Sequence, residues 1–316
     1  MSAQPTAEAD KQAYRALCDD TECAVPLFQQ AWWMDVVSEG KEWNALVVRR
    51  ADGRVEAALP YLVARKLGQR YVLQPRLTQF SGPWFRPTLD FAQRRRAAEA
   101  LVQGLEAVRL TLFQQCFAPE ASDWLPFYWA GYRQTTRYTY RIAPLAPVDE
   151  LMRRADPERR KRMSLLRSQC QLDREVPVDE FVDFHHDYYM RRSGTDWVPV
   201  ELVRRVCTAA LGRRQALLYG LRDADGHLLT ADFVVYDAHC AHSLLSGLAV
   251  DAPRNCTTLL FWNLIDDLHP LTGAFDFEGS MDRGIEHFFR SFGAQQTPYH
   301  CVCRSRPRWL APLLGL

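Results

Sequence analysis

Apolar positions along the chain change their period repeatedly, and each change marks an element. Across residues 29–38, Trp32, Trp33 and Val36 predict a short helix with those side chains on one side. EWNALVVRRADGRVEAALPYLVARK follows as two apolar runs around Asp52-Gly53, a strong local signal for a β-hairpin. RYVLQPRLTQFSGPWFRP is extended and punctuated by proline. Helical spacing returns in residues 89–108 through Leu89, Ala97, Leu101, Leu105 and Val108. RLTLFQQC predicts a short strand, DWLPFYWAGY is an aromatic stretch, and RQTTRYTYRIAPL is a strand of alternating polar and aromatic positions.

The second half repeats the plan. LLYGLRDADGHLLTADFVVYD predicts two strands about Asp225-Gly226, CAHSLLSGLAVD a third strand and TTLLFWNLIDDLH a helix. AFDFEGS is a short strand, IEHFFRSFG a helix and AQQTPYHCVCR a last strand. Setting Gly131 over Gly293 brings Gln134 onto Gln296, Thr135 onto Thr297 and Phe127 onto Phe289. The pattern predicts two copies of one α/β unit. The expected division is a polar lead over 1–25, a first domain over 26–150 and a second over 151–316, with the join in the proline-rich APLAPVDELMRRADP.

Length and composition agree: 316 residues, 47% hydrophobic and 24% charged, suit two ordinary globular domains. With 39 basic against 38 acidic side chains, the chain is no polybasic DNA binder. No run approaches the roughly 18 apolar residues of a membrane span, and the polar start MSAQPTAEADKQAY predicts a cytoplasmic protein. The apolar ending WLAPLLGL is packed, a contact, or weakly membrane-seeking. Nine scattered cysteines lack C-x-x-C spacing and read as reduced thiols. His185-His186 and the H-C-x-H at 239–242 have no third ligand at useful spacing, so no metal site is expected. No G-x-S-x-G or catalytic-cysteine context suggests a covalent intermediate.

The element order, with FQQAWWMDVV, ERRKRMSLLRSQCQL and above all AFDFEGSMDRGIEHFFRSFGAQ, resembles the FemAB-like, GNAT-fold acyltransferases. TQFSGPW and TTRYTY are similar to stretches of the same group. The resemblance implies an α/β (α+β) fold of two tandem GNAT-like units, each a mixed, mostly antiparallel sheet flanked by helices. It also implies transfer from an aminoacyl-tRNA to a peptidoglycan precursor, with no tightly bound cofactor. In a GNAT unit two neighbouring strands part, and the acyl donor docks between them like an extra strand while a backbone N–H polarises its carbonyl.

In the second unit the donor strand is SLLSGLAVD, where Gly247, beside Leu248, permits a bulge or is an ordinary kink. RNCTTL follows: Arg254 and Asn255 could meet a phosphate, but Thr257 and Leu259 stand where acyl-CoA users carry glycines. Alternation sends Phe275 and Phe277 to one face of AFDFEGS and Asp276 and Glu278 to the other. Either these carboxylates manage the proton of an attacking amine, or Asp276 caps backbone and Glu278 pairs with an arginine. Arg290 either supplies positive charge to the reaction or pairs with Glu286 four residues away. Ser280 donates at the site or starts the next turn.

Arg159, Arg160, Arg162 and Arg167 form a basic helix that is solvated surface or contacts a polyphosphate or tRNA. Arg192 and Tyr189 are acceptor-side candidates by resemblance, with Arg137 and Tyr138 lining the groove or serving the strand; Tyr140 is structural. Two other functions stay open: acyl-CoA-dependent N-acetyl transfer to a small amine, and a non-catalytic binding protein.

Overall fold

The computed structural model describes residues 7–153, 166–196, 198–279, 281 and 283–306. In chain order the first half forms α1 (Ala7–Asp19), α2 (Ala31–Val37), the strands β1 (Glu42–Arg49), β2 (Val55–Lys66), β3 (Gln69–Leu73) and β4 (Trp84–Phe85), then α3 (Phe91–Val108), β5 (Leu112–Cys116), α4 (Leu125–Trp129) and β6 (Arg133–Ile142). The second half forms α5 (Val148–Arg153), β7 (Gln171–Asp173), α6 (Val178–Ser193), α7 (Val200–Gly212), β8 (Ala216–Arg222), β9 (Leu228–Tyr236) and β10 (Ala241–Leu248). It continues with α8 (Cys256–Leu268), β11 (Phe275–Asp276), α9 (Arg283–Arg290) and β12 (Gln295–Ser305).

The described residues pack as two units, one running to Arg137 and taking up the chain again from Pro298, the other spanning Tyr138–Thr297. This differs from a division at 150/151. The last strand returns to the first unit, where Cys301 faces Cys116 and Val302 faces Gln115 in an antiparallel ladder. Alternation marks a segment as a strand without naming its neighbour, which is why the sequence assigns β12 to the unit preceding it in the chain.

In the first unit β1, β2, β3, β5 and β12 lie side by side, with β4 also on β2. The Asp52-Gly53 turn joins β1 to β2 with Gly53 at φ +87, a conformation glycine adopts without a Cβ clash. Asp90 and Gln93 form a reciprocal capping box at the start of α3, which buries Ala97, Leu101 and Leu105 against Tyr61, Val63 and Phe113. The expected polar lead is instead α1, whose Tyr14 and Leu17 pack with Trp43 of β1. In α2 the buried side is Trp33, Met34 and Val37, while Trp32 and Val36 are only partly covered.

The second unit orders its strands β6, β11, β10, β9, β8, β7. Phe275 and Phe277 enter its core as alternation predicts, with ring centroids 4.9 Å apart, and Phe277 stacks on Phe289 at 5.0 Å. Phe261 and Trp262 of α8 and Phe292 complete this aromatic cluster. Helix α6 crosses the sheet with Phe181 against Phe233 and Phe184 against Gly247. A Cβ at Gly247 would lie 2.6 Å from the Phe184 ring, so glycine there admits the helix. The β-bulge lies upstream, between Ser243 and Leu245.

Candidate active site

Each unit contains one parallel strand pair that begins in register and then parts. In the first unit β3 and β5 pair only at Tyr71↔Leu112 and Val72↔Phe113. The chain fills the gap beyond. Gln74 donates to the Thr78 carbonyl at 2.7 Å and accepts from the Cys116 N–H at 3.0 Å. Ser81 then bridges to Phe117, its N–H donating to the Cys116 carbonyl at 2.6 Å. These side-chain and backbone groups take the hydrogen-bonding positions that an inserted ligand would need.

In the second unit β10 and β11 pair only at Ala241↔Phe275 and His242↔Asp276. Past that point β10 continues to Leu248 while the other chain carries Phe277, Glu278 and Gly279. Phe277 donates its N–H to the Tyr140 carbonyl of β6 at 3.0 Å, and Gly279 donates to Thr139 Oγ1 at 3.0 Å. A Cβ at Gly279 would fall 2.1 Å from the Tyr138 carbonyl oxygen, so only glycine allows this approach. The two chains therefore diverge because β6 draws 277–279 to its side, and Glu278 turns at φ +53 where they part.

The two carboxylates of AFDFEGS have different surroundings. Asp276 is fully buried and satisfied: it accepts from the Thr139 hydroxyl, from Arg141 Nε at 2.5 Å and from the Glu278 N–H at 2.8 Å. It caps the turn, as the structural alternative expected, and it is Asp276 rather than Glu278 that pairs with an arginine. Glu278 is 12% exposed and lies 3.8 Å from His242 Nδ1. Its buried Oε1 accepts no hydrogen bond from the described residues. Burial pushes the Glu278 carboxyl well above the usual range; the negative charges of Asp276 and Asp232 add to the effect and Arg141 opposes it. Asp232 of β9 is itself pushed far up by burial, although both its oxygens accept from Ser243 Oγ, at 3.0 and 3.1 Å.

Helix α6 adds His185, set aside with the metal motif, Arg191, and Tyr189, an acceptor-side candidate. His185 Nδ1 lies 2.8 Å from the Ser246 carbonyl of β10, so Nδ1 carries the proton, and burial lowers the imidazole pKa and favours the neutral ring. Arg191 reaches β10, donating to the Leu248 carbonyl at 3.0 Å. Tyr189 packs against His185 with ring centroids 4.7 Å apart and the planes tilted by 52°. Asp232 is detectable as the lone carboxylate of LLTADFVVY, and His242 belongs to the metal motif that the spacing argued against.

The remaining candidates lie apart from these contacts. Arg290 is 59% exposed and pairs with Glu286 at 2.5 Å, and among the described residues no contact joins it to Glu278 or Asp276. Arg192 is exposed and donates to the Tyr188 hydroxyl at 2.7 Å. Arg254 is exposed before α8, and Asn255 adopts φ +71 at the helix start without a capping side-chain bond. Thr257 contacts Thr230 at 3.4 Å and Leu259 is buried, so neither position offers open backbone to a diphosphate. Arg137 belongs to the first unit beside Tyr299, whereas Tyr138 and the buried Tyr140 belong to the second; Tyr140 accepts from Gln296 at 2.9 Å. Ser280, Arg159, Arg160 and Arg162 and the WLAPLLGL tail lie outside the described residues.

The fold supplies the H-C-x-H pair with a third group that spacing did not reveal: Cys240, His242 and Asp276 bring their ligand atoms within 4.8 Å of one another. Asp276, however, is already neutralised by Arg141 at 2.5 Å, and a guanidinium there occupies the position of a competing cation.

Residues 153–288 match the family model described as the acetyltransferase (GNAT) domain. The chain thus carries a GNAT acetyltransferase domain over that segment, which spans the parted strands and their carboxylates. Its tandem architecture is similar to that of FemX, at TM-score 0.69 and 11% identity over 99% of both chains. It is also similar to the C-terminal domain of a protein named as a lysylphosphatidylglycerol synthetase from Agrobacterium fabrum, at TM-score 0.59 and 13% identity over 96% of both chains. A tandem GNAT protein from the clavulanic acid biosynthesis pathway aligns at TM-score 0.53 and 15% identity, over 95% of this chain and 97% of that one. No curated protein matches the sequence. Among the described residues no helix is long and apolar enough to cross a membrane.

Proposed function

We propose that the protein transfers an acyl group from an activated thioester or ester to an amine, with the donor held between β10 and β11. The observation that carries this reading is the parting of the strands after His242↔Asp276, with Glu278 Oε1 buried in the gap and offered no donor by the described residues. The amine nitrogen attacks the acyl carbon, a C–N bond forms and the C–S or C–O bond breaks. Glu278 takes the amine proton and passes it to the leaving thiolate or alkoxide. A carboxylate raised towards the pH of the reaction is a better base for this transfer than one in the ordinary range. Asp276, locked by Arg141 and Thr139, acts as a positioning residue through its bond to the Glu278 N–H.

The GNAT match favours an acyl-CoA donor. An aminoacyl-tRNA donor is the second reading, favoured by Thr257 and Leu259, which leave the start of α8 without the glycines that cradle a diphosphate. A cell-wall precursor is the acceptor implied by the FemAB-like resemblance. A screen of acyl-CoAs and charged tRNAs by thermal stabilisation tests the donor, since a ligand bound only by the folded state raises the melting temperature. Stabilisation by an acyl-CoA that is lost in Arg254→Ala supports the first reading, and stabilisation by charged tRNA alone supports the second. No response to either class overturns the proposal.

A further inference from the structure

The last strand of the first unit sets two thiols side by side. In the β5–β12 ladder Cys116 faces Cys301, and alternation puts Gln114 and Cys303, the pair two residues along, on the same side of the sheet. Phe117 donates its N–H to the His300 carbonyl at 2.8 Å, so the hydrogen-bonded pair lies one residue on and Cys116 with Cys301 is a non-hydrogen-bonded pair. Cys116 turns its own backbone the other way, its N–H donating to Gln74 at 3.0 Å and its carbonyl accepting from Ser81 at 2.6 Å. At such a position the Cα atoms of an antiparallel pair stand about 4.5 Å apart and the side chains are closest. That spacing falls at the short end of the roughly 4.4–6.8 Å that a disulfide spans, so a bridge closes with the strands where they are.

The surroundings give the two thiols different roles. Cys116 donates its S–H to Cys301, and Gln114 Nε2 donates to the same sulfur at 3.8 Å. With the positive charge of Arg137 added, these contacts bring the Cys301 thiol down to about 6 against the opposing effect of burial. Cys116 is pushed the other way by the same contact and by its burial. Cys303 faces Gln114 rather than a thiol, and burial raises it. Both cysteines of the pair are buried, whereas Gln114 beside them is half-buried and Arg137 is exposed. The approach from solvent past these two side chains suits an oxidant little larger than water.

We propose that Cys116 and Cys301, paired across β5 and β12, are a redox-active dithiol that hydrogen peroxide closes to a cross-strand disulfide. The Cys301 thiolate attacks one peroxide oxygen: an S–O bond forms, the O–O bond breaks, and the departing hydroxide leaves as water with the proton that Cys301 gave up. Cys116 sulfur then attacks the sulfenic sulfur of Cys301, an S–S bond forms, the S–O bond breaks, and the Cys116 proton leaves with the hydroxyl as a second water. The two sulfurs are each oxidised by one electron and the peroxide is reduced by both. The bridge fastens the strand on which the chain returns to the first unit, and it closes a covalent loop that contains Tyr138–Thr297.

The test uses the full chain, reduced, freed of reductant and treated folded with hydrogen peroxide, then alkylated in urea, digested without reduction and read by mass spectrometry. The expected product is lighter by about 2 Da, the two hydrogens lost, with the peptides carrying Cys116 and Cys301 joined and freed again by dithiothreitol. Cys303→Ser keeps the link, since the neighbouring thiol is no part of it. Cys116→Ser forms no bridge and gains oxygen at Cys301 instead, as the sulfinic or sulfonic acid. Arg137→Gln removes a charge that favours the thiolate and slows bridge formation at least about threefold at about pH 6. Cys116 and Cys301 both still open to alkylation after peroxide, a link to Cys303 in place of Cys116, or a link that forms only when the chain is unfolded before peroxide is added overturns the proposal.

Discussion

Replacing Glu278 by glutamine separates catalysis from stability, because the same burial that suits the carboxyl to proton transfer makes its ionised form costly. In the unfolded chain this carboxyl ionises in the ordinary range, whereas in the folded chain burial and the nearby Asp276 and Asp232 hold the proton to much higher pH. Between those two values the folded state binds more protons than the unfolded state, so folding stability falls as pH rises. The slope for one such group is about 1.4 kcal/mol per pH unit. For a unit the size of Tyr138–Thr297 that corresponds to roughly 3–6 °C of melting temperature per pH unit. Glutamine copies the protonated form and does not titrate. Glu278→Gln is therefore expected to melt with the wild type near pH 4, where both side chains are neutral, and increasingly above it as pH rises from the ordinary carboxylate range towards the raised folded-state value. Asp232 titrates in both proteins and cancels in the comparison. Over the same range the variant should lose about 10²–10⁴-fold in the rate of donor thiol or tRNA release that depends on the amine. The assay is paired: differential scanning calorimetry from pH 4 to 8, and turnover with whichever donor the thermal screen identifies. A melting difference that does not change with pH, or transfer at the wild-type rate, refutes the reasoning.

Three further outcomes follow from the same contacts. Asp276→Asn removes the fully buried carboxylate that accepts from Arg141, Thr139 and the Glu278 N–H and should cost about 3–5 kcal/mol in urea titrations while also slowing transfer. Gln74→Ala removes the partner of the Cys116 N–H and the donor to Thr78 and should cost roughly 1–3 kcal/mol, with transfer rates in the second unit unchanged. Arg290→Ala loses only an exposed helix pair, worth at most about 0.5 kcal/mol, so its turnover should stay within a factor of two of wild type.

Much of the strand and helix order was legible because period reports burial directly. Phe275 and Phe277 against Asp276 and Glu278 is the clearest case, since a two-residue period admits one core face only. The hairpin turns and α3 were equally plain, through Asp-Gly and the spacing of Ala97, Leu101 and Leu105. Helix α1 was hidden by its composition: only Tyr14 and Leu17 of thirteen residues are buried, too few to stand out from a polar lead. The site was legible in its carboxylates but not in their division of labour. Asp276 is neutralised by Thr139 and Arg141 on β6, the former 137 residues away, and no local pattern announces such a partner. For Gly247 the sequence told of close approach, but whether to a ligand or to Phe184 depends on a helix from another part of the chain. The spacing of Arg290 to Glu286 gave equal licence to a surface pair and a reactive cation, and the fold places it in the surface pair.

The two units also show why a shared architecture need not mean shared chemistry. Both part a parallel strand pair after two residues in register, so both create backbone groups with no neighbouring strand. In the first unit the segment 74–82 supplies the missing partners, with Gln74 on the Cys116 N–H and Ser81 on its carbonyl. Filling that gap secures buried hydrogen bonds at once and leaves nothing for a substrate to gain by entering. In the second unit the corresponding chain is drawn to β6 by Gly279 and Thr139, and the gap retains a carboxyl that is neither paired with an arginine nor hydrogen-bonded at Oε1 by any described residue. A buried group left in that condition lowers stability, and the GNAT match over residues 153–288 gives a reason for it to persist.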